Sequence, residues 1–227
     1  MAYATQGRAW RGLPLQNLVL AALIIAATGG AAQLLNAQTG FPSGRCQFAD
    51  NSGPRWLGGF PVWLPLVWPV VLLSARGVAQ CILLPRRRLP NYGYGLLALT
   101  TGLATLLQAS FDLFATRVAH RWRWGNAAWI IEGIALPNLA GCMLVSVVAL
   151  LLAAPALIDK RPVQSAPGLL PLGLWFALNV VLLASSLSRA SDAGVAVLAA
   201  PVLLATSFAF QRGRGAHAHC DEPPPSP

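Results

Sequence analysis

Two carboxylic acids, Asp112 and Glu132, stand twenty residues apart in sequence that otherwise reads as membrane, and Trp122, Trp124 and Trp129 lie between them. A charged side chain at the centre of a bilayer-spanning helix costs roughly 2.5 kcal/mol or more, so an acid in such a place points to a function by default. Tryptophan faces stabilise cations. A desolvated acid beside aromatic rings suits acid–base chemistry, or recognition, on a molecule dissolved in the membrane.

The neighbouring residues extend this pattern. On a helix, Thr101, Gln108, Asp112 and Thr116 share one face, giving a narrow polar stripe on an apolar rod. Such a stripe should turn toward the bundle interior, where Asp112 is either a helix–helix hydrogen-bonding group or a proton donor or acceptor. Glu132 is either a solvated interfacial residue or a group lining a cavity. Trp122 and Trp124 form a W-x-W pair, a pattern also found in interfacial aromatic belts. Asn138 follows Pro137 at a helix start and is placed either to cap that helix or to orient a water. Arg76 lies inside an apolar run and needs a partner or a route to the interface, and Asp112 and Glu132 are the intramembrane acids on offer. Asn179 is a lone polar residue in a later run and reads as structural.

The elements that must position these groups are membrane helices. Of 227 residues, 56% are hydrophobic and only 10% charged, against about 25% charged in a soluble domain. The fold class is all-α, a polytopic bundle of about six transmembrane helices. The spans run over about 15–35, 60–84, 95–119, 137–158, 169–187 and 193–210. They form a single helical domain over 15–210, after a basic leader (1–14) and before a disordered tail (211–227) that ends in EPPPSP. The apolar stretch from Gly125 to Ile158 is too long for one span. The turn signal Gly125-Asn126 and Pro137 as a first helical residue make 127–135 a short re-entrant or interfacial segment before the fourth helix. With both termini inside, nine Lys/Arg fall on the inner face and six on the outer, which places the termini in the cytoplasm and the acid–tryptophan cluster toward the outer face.

The formal net charge of +9 comes from arginines flanking apolar runs and does not indicate nucleic acid as a partner. The sequence contains no phosphate-binding glycine loop, no Ser/His/Asp order and no metal-ligand helix pair. His217, His219 and Cys220 cluster near the end without a second ligand group, so they read as a polar tail. Cys81 and Cys142 read as small buried residues.

The segment DLFATRVAHRWRW followed by GIALPNLAGC resembles the bacterial carotenoid biosynthesis membrane family, which includes carotenoid 1,2-hydratases of the C-2 hydratase type. Members show an acid then proline, W-x-W about ten residues on, then G-[VI]-P-x-x-N-[FY]-x-G-W. Asp112 takes the acid's place, Trp122 and Trp124 match W-x-W, and Gly133, Asn138 and Gly141 match the later element. The upstream run GGFPVWLPLVWPVVLLSA is similar to the family's Pro- and Trp-containing helix. The chain departs from the pattern at Leu113, Ala135, Leu139 and Cys142.

The resemblance implies hydration of the terminal double bond of a lipid-dissolved carotenoid in the bacterial inner membrane, with membrane lipid and other carotenoid biosynthesis enzymes as neighbours. That reaction makes Asp112 or Glu132 the acid, sets Trp122 and Trp124 beside the cation and Asn138 on the water, with Trp129 a further substrate-binding residue and Arg76 and Gln108 supporting. The reaction requires no cofactor and no metal. The alternatives are a non-catalytic carotenoid-binding or accessory protein, which the departures favour, and a small transporter, which would need polar stripes on more than one helix.

Overall fold

The computed structural model describes residues 13–56, 59–125, 129–131, 134–158, 169–187 and 192–220, with side-chain placement left out at 131, 192–194 and 214–220. Six α-helices make up most of it: α1 (Leu15–Thr39), α2 (Leu64–Ile82), α3 (Tyr92–Arg117), α4 (Leu136–Leu157), α5 (Leu170–Ser186) and α6 (Asp192–Cys220). Five are long and apolar enough to cross a membrane, and α5 is an apolar helix of 17 residues. The chain is an all-α polytopic bundle. Helix ends fall within a few residues of those expected from the sequence, except that α6 continues through 211–220, where the sequence suggested a tail. Residues 1–12 of the leader and the last seven residues of the chain lie outside the described residues.

Helices α2 and α3 form the centre. α2 packs against α1, α3, α5 and α6, while α3 also packs against α4 and α5. Leu72, Val78, Leu107, Leu113 and Trp175 fill the space between them. Outward positions such as Leu20, Leu23, Leu151, Val181 and Leu204 stay exposed, as lipid-facing leucines and valines do. In a bilayer helices associate by close packing rather than by expulsion of water, and small residues permit the approach. Gly29 on α1 receives the Trp68 indole from α2, and Gly77 on α2 receives Pro171 from α5; a Cβ at either would come within 2.3 Å of those side chains. A buried polar contact adds to the α3–α5 join. Ser110 Oγ donates to Asn179 Oδ1 at 2.9 Å and Asn179 Nδ2 donates to the Trp175 carbonyl, the structural role expected of Asn179.

One end of the bundle carries a small non-helical cap. The antiparallel strands β1 (Cys46–Phe48) and β2 (Trp122–Trp124) pair Cys46 with Trp124 and Phe48 with Trp122. Strand alternation turns Gln47 and Arg123 to the exposed side and Trp122 inward. Arg121 fastens the cap: its N–H donates to the Ala115 carbonyl, its carbonyl accepts from Ala49 N–H and Ser52 Oγ, and its guanidinium donates to the Asn51 carbonyl. Trp63 Nε1 donates to the Ser52 carbonyl at 2.9 Å, joining the cap to the start of α2. Of the expected re-entrant or interfacial segment, 127–128 and 132–133 lie outside the described residues; the rest pairs β3 (Ile130–Ile131) antiparallel with β4 (Ile134–Ala135), which runs straight into α4.

The loop after α1 turns at Gly40, whose φ of +77° suits glycine, and folds back onto α4. Asn36 Oδ1 accepts from Ser43 N–H at 3.0 Å. Gly141 lies beneath this loop, and a Cβ there would stand 2.5 Å from Ser43 Oγ and 2.9 Å from the Pro42 backbone. Gly141→Ala is therefore expected to destabilise the protein by about 1–3 kcal/mol. Gly102→Ala, where a Cβ meets nothing within 4 Å, should stay within about 0.5 kcal/mol. Thermal unfolding of both variants in detergent measures the difference.

Candidate functional site

Asp112 lies near the C-terminal end of α3, where the helix meets the cap, and it has no exposed surface. Its Oδ2 accepts from Asn138 Nδ2 at 2.6 Å. Asn138 sits in the first turn of α4, yet its side chain does not cap that helix; it reaches across to α3. Asn138 Oδ1 in turn faces the Cys142 thiol, which donates weakly at 3.6 Å. A short chain thus runs from Cys142 through Asn138 to Asp112, and Pro137 sets its start by opening α4 one residue earlier. Asp112 Oδ1 is buried with no hydrogen-bond partner among the described residues.

The cap supplies the opposite wall. The Trp122 indole is buried, and its N–H stands near enough to the Asp112 carboxyl to act on it, though outside hydrogen-bond geometry. Rings enclose the rest of the indole. Trp63 stacks on it at 6.5 Å and 28°, Phe111 lies 5.5 Å away and Phe48 meets it edge-on at 6.1 Å. Trp63 and Phe111 also meet edge to face at 6.0 Å. Trp122 therefore offers the carboxyl its positive N–H edge rather than its ring face. Trp124 is half-buried with its Nε1 enclosed and unpaired. Cys46, opposite Trp124, completes this side; burial pushes its thiol up, and the nearby Asp112 carboxyl adds to the shift, so Cys46 is a neutral wall rather than a thiolate nucleophile.

The other residues singled out from the sequence are distributed differently. Gln108 is half-buried one turn before Asp112 on the same helix face. Thr116 Oγ1 donates to the Asp112 main-chain carbonyl. Trp129 is 67% exposed just before β3 and is not among the rings packed on Trp122. Glu132 lies outside the described residues. Arg76 does not pair with Asp112: its guanidinium donates to the Leu157 carbonyl at 2.9 Å, at the far end of the bundle. Asp112 is near the end of α3 that meets the start of α2, whereas Arg76 lies nearly two turns before the far end of α2, so more than half of that helix separates them. His217, His219 and Cys220 belong to the part of α6 whose side chains are not described.

Four site residues were absent from the sequence reading of the site. Phe111 is next to Asp112 and Trp63 opens the Trp- and Pro-rich helix, so both had a local signal. Cys46 and Phe48 sit in a three-residue strand whose partner is more than seventy residues away, and nothing local marks them.

The Asp112–Asn138 contact should be visible in stability. Asn138→Leu removes the donor to a buried oxygen and is expected to cost about 1–3 kcal/mol. Adding Asp112→Leu removes the orphaned acceptor and should restore most of the loss, read as the unfolding midpoint in detergent of both single variants and the double.

The model for carotenoid biosynthesis proteins matches residues 1–208. No curated protein and no solved structure matches the chain. A match across nearly the whole sequence, on a helical bundle with an acid enclosed at one end, makes this chain a member of the carotenoid biosynthesis protein family.

Proposed function

We propose that the protein hydrates the terminal double bond of a membrane-dissolved carotenoid, with Asp112 as the acid. The observation that carries this reading is the asymmetry of the buried carboxyl: Asn138 holds Oδ2, while Oδ1, beneath the Trp122 indole, makes no hydrogen bond among the described residues and is the oxygen left for a substrate atom once the cap opens. Family membership supplies the substrate class.

The chemistry balances simply. The Asp112 carboxylic acid gives its proton to the less substituted carbon of a terminal dimethyl-substituted alkene, and the alkene's π pair forms the new C–H bond. A tertiary cation is left on the dimethyl carbon. The oxygen of one water adds there, and the proton it then loses returns to the Asp112 carboxylate, giving a tertiary alcohol. General acid–base assistance of this kind contributes about 10²–10⁴-fold. The half-buried rings of Trp63 and Phe111 border the site and suit a cationic intermediate. Trp122, which faces the carboxyl edge-on, takes the role of orienting it, as Asn138 does. In this reading the arginine-bearing end with Arg86, Arg87 and Arg88 faces the cytoplasm and the cap faces the opposite side of the inner membrane.

One observation favours a second reading, a non-catalytic carotenoid-binding or accessory protein. Asp112 is fully enclosed, and Leu113, Ala135 and Cys142 are themselves buried and well packed where the family pattern has other residues. Catalysis then requires the aromatic cap to part from α3 for the substrate end to reach Oδ1.

Expression in bacteria that make lycopene, followed by chromatography and mass spectrometry of the pigments, separates the two. Hydration gives a product heavier by one water, and membranes given preformed unlabelled lycopene in deuterated water should place one non-exchangeable deuterium on the carbon next to the new alcohol. Unchanged pigment that co-purifies with the protein identifies the binding role instead.

A further inference from the structure

At the end of the bundle opposite Asp112, a cavity of about 280 Å³ opens between α3 and α4. Thr100, at its inner side, is twelve residues before Asp112, about 18 Å along the helix. Leu96, Leu97, Leu150 and Leu151 form much of its wall, so most of the lining is apolar. Its mouth is marked by exposed Tyr94, Leu151 and Ile158.

Inside the Tyr94 phenol at the mouth, two polar groups break that apolar lining. One is Arg76, which α2 carries into the cavity. A guanidinium inside the apolar region is costly without a counter-charge. Arg76 makes no ion pair among the described residues, and no carboxylate lines the cavity. Its hydrogen bond to the Leu157 carbonyl uses one of five N–H groups and leaves others for a ligand. The second is Thr100, which is buried with its Oγ1 unpartnered. Just beyond the mouth, Pro90 follows the Arg86–Arg88 triplet, so the approach is also cationic. A fixed cation, a spare hydroxyl and a greasy wall open to lipid complement an amphiphile with an anionic head.

We propose that this cavity is a binding site for an anionic phospholipid, its phosphate on Arg76 and the upper part of an acyl chain against Leu96, Leu97 and Leu151. The site is separate from the Asp112 centre and does not depend on the reaction assigned to it. An anionic lipid seated here would wedge α3 against α4, the two helices that Asp112 and Asn138 join at the other end.

The full-length protein, stripped of lipid in detergent, tests this by native mass spectrometry with added phosphatidylglycerol or phosphatidylcholine. The wild type should retain one phosphatidylglycerol and discriminate against phosphatidylcholine by tenfold or more. Arg76→Gln, which keeps a donor for the Leu157 carbonyl, should lose that discrimination. Ala154→Trp fills the cavity while leaving Arg76 in place, and should lower retention of phosphatidylglycerol by a similar factor. Equal retention of the two lipids by the wild type, or full retention by either variant, overturns the proposal. Displacement of the lipid by millimolar inorganic phosphate also overturns it and assigns the site to a soluble phosphate.

Discussion

The contact between Asn138 and Asp112 is the constraint on which the functional end of this bundle depends. A carboxyl enclosed by apolar helices must find donors inside the protein, because lipid offers none. Here α4 provides one through Asn138, at 2.6 Å. That demand fixes the rotation of α3 about its axis, since Asp112 must face α4. It also fixes where α4 begins, since Asn138 must fall in its first turn. Pro137 and the β3/β4 pair set that start, and Gly141, one turn further, lets the Gly40–Ser43 loop close over the same helix.

The cap follows from the same requirement. Asp112 would lie near the end of its helix and close to polar surroundings if α3 simply stopped at Arg117. Instead the chain turns back through Arg121 and lays Trp122 over the carboxyl, with β1 holding β2 in place. Trp63, Phe111 and Phe48 then pack around the indole, so residues from four separate segments enclose one acid. The two ends of the bundle are consequently different in kind. One presents an enclosed acid under aromatic rings, the other a half-buried arginine beside a cavity open to lipid.

Much of the helical frame was legible in the sequence, because twenty-residue apolar runs interrupted by arginines and turn residues leave little choice in a bilayer. The inward polar stripe was legible for the same reason: Thr101 and Asp112 are buried as their spacing implied. The cap was not. W-x-W has the composition of an interfacial belt, and a three-residue strand carries no measurable alternation. Its partner CQF lies in a loop whose glycine, proline and serine content signals only irregular structure. Arg76 suggested an ion pair because sequence shows charge but not depth; in three dimensions more than half the length of α2 separates it from Asp112, and a main-chain carbonyl at the end of α4 accepts its N–H instead. Trp129, equally aromatic and also placed between the acids in sequence, is exposed on the strand side of α4 and takes no part in the ring cluster around Trp122. Asn138 was legible as a polar residue at a helix start, but its choice of Asp112 over a capping role needed the crossing of α3 and α4.

The most direct test of a catalytic Asp112 is the Asp112→Asn variant in lycopene-producing bacteria, with membrane levels and unfolding midpoint measured alongside the pigments. The amide keeps the size of the side chain and removes the transferable proton. The expected result is a folded protein at normal membrane levels whose hydrated product falls by about a hundredfold or more relative to the wild type. Hydrated product at the wild-type level from the folded variant would show that Asp112 is a structural hydrogen-bonding group and that the acid lies elsewhere.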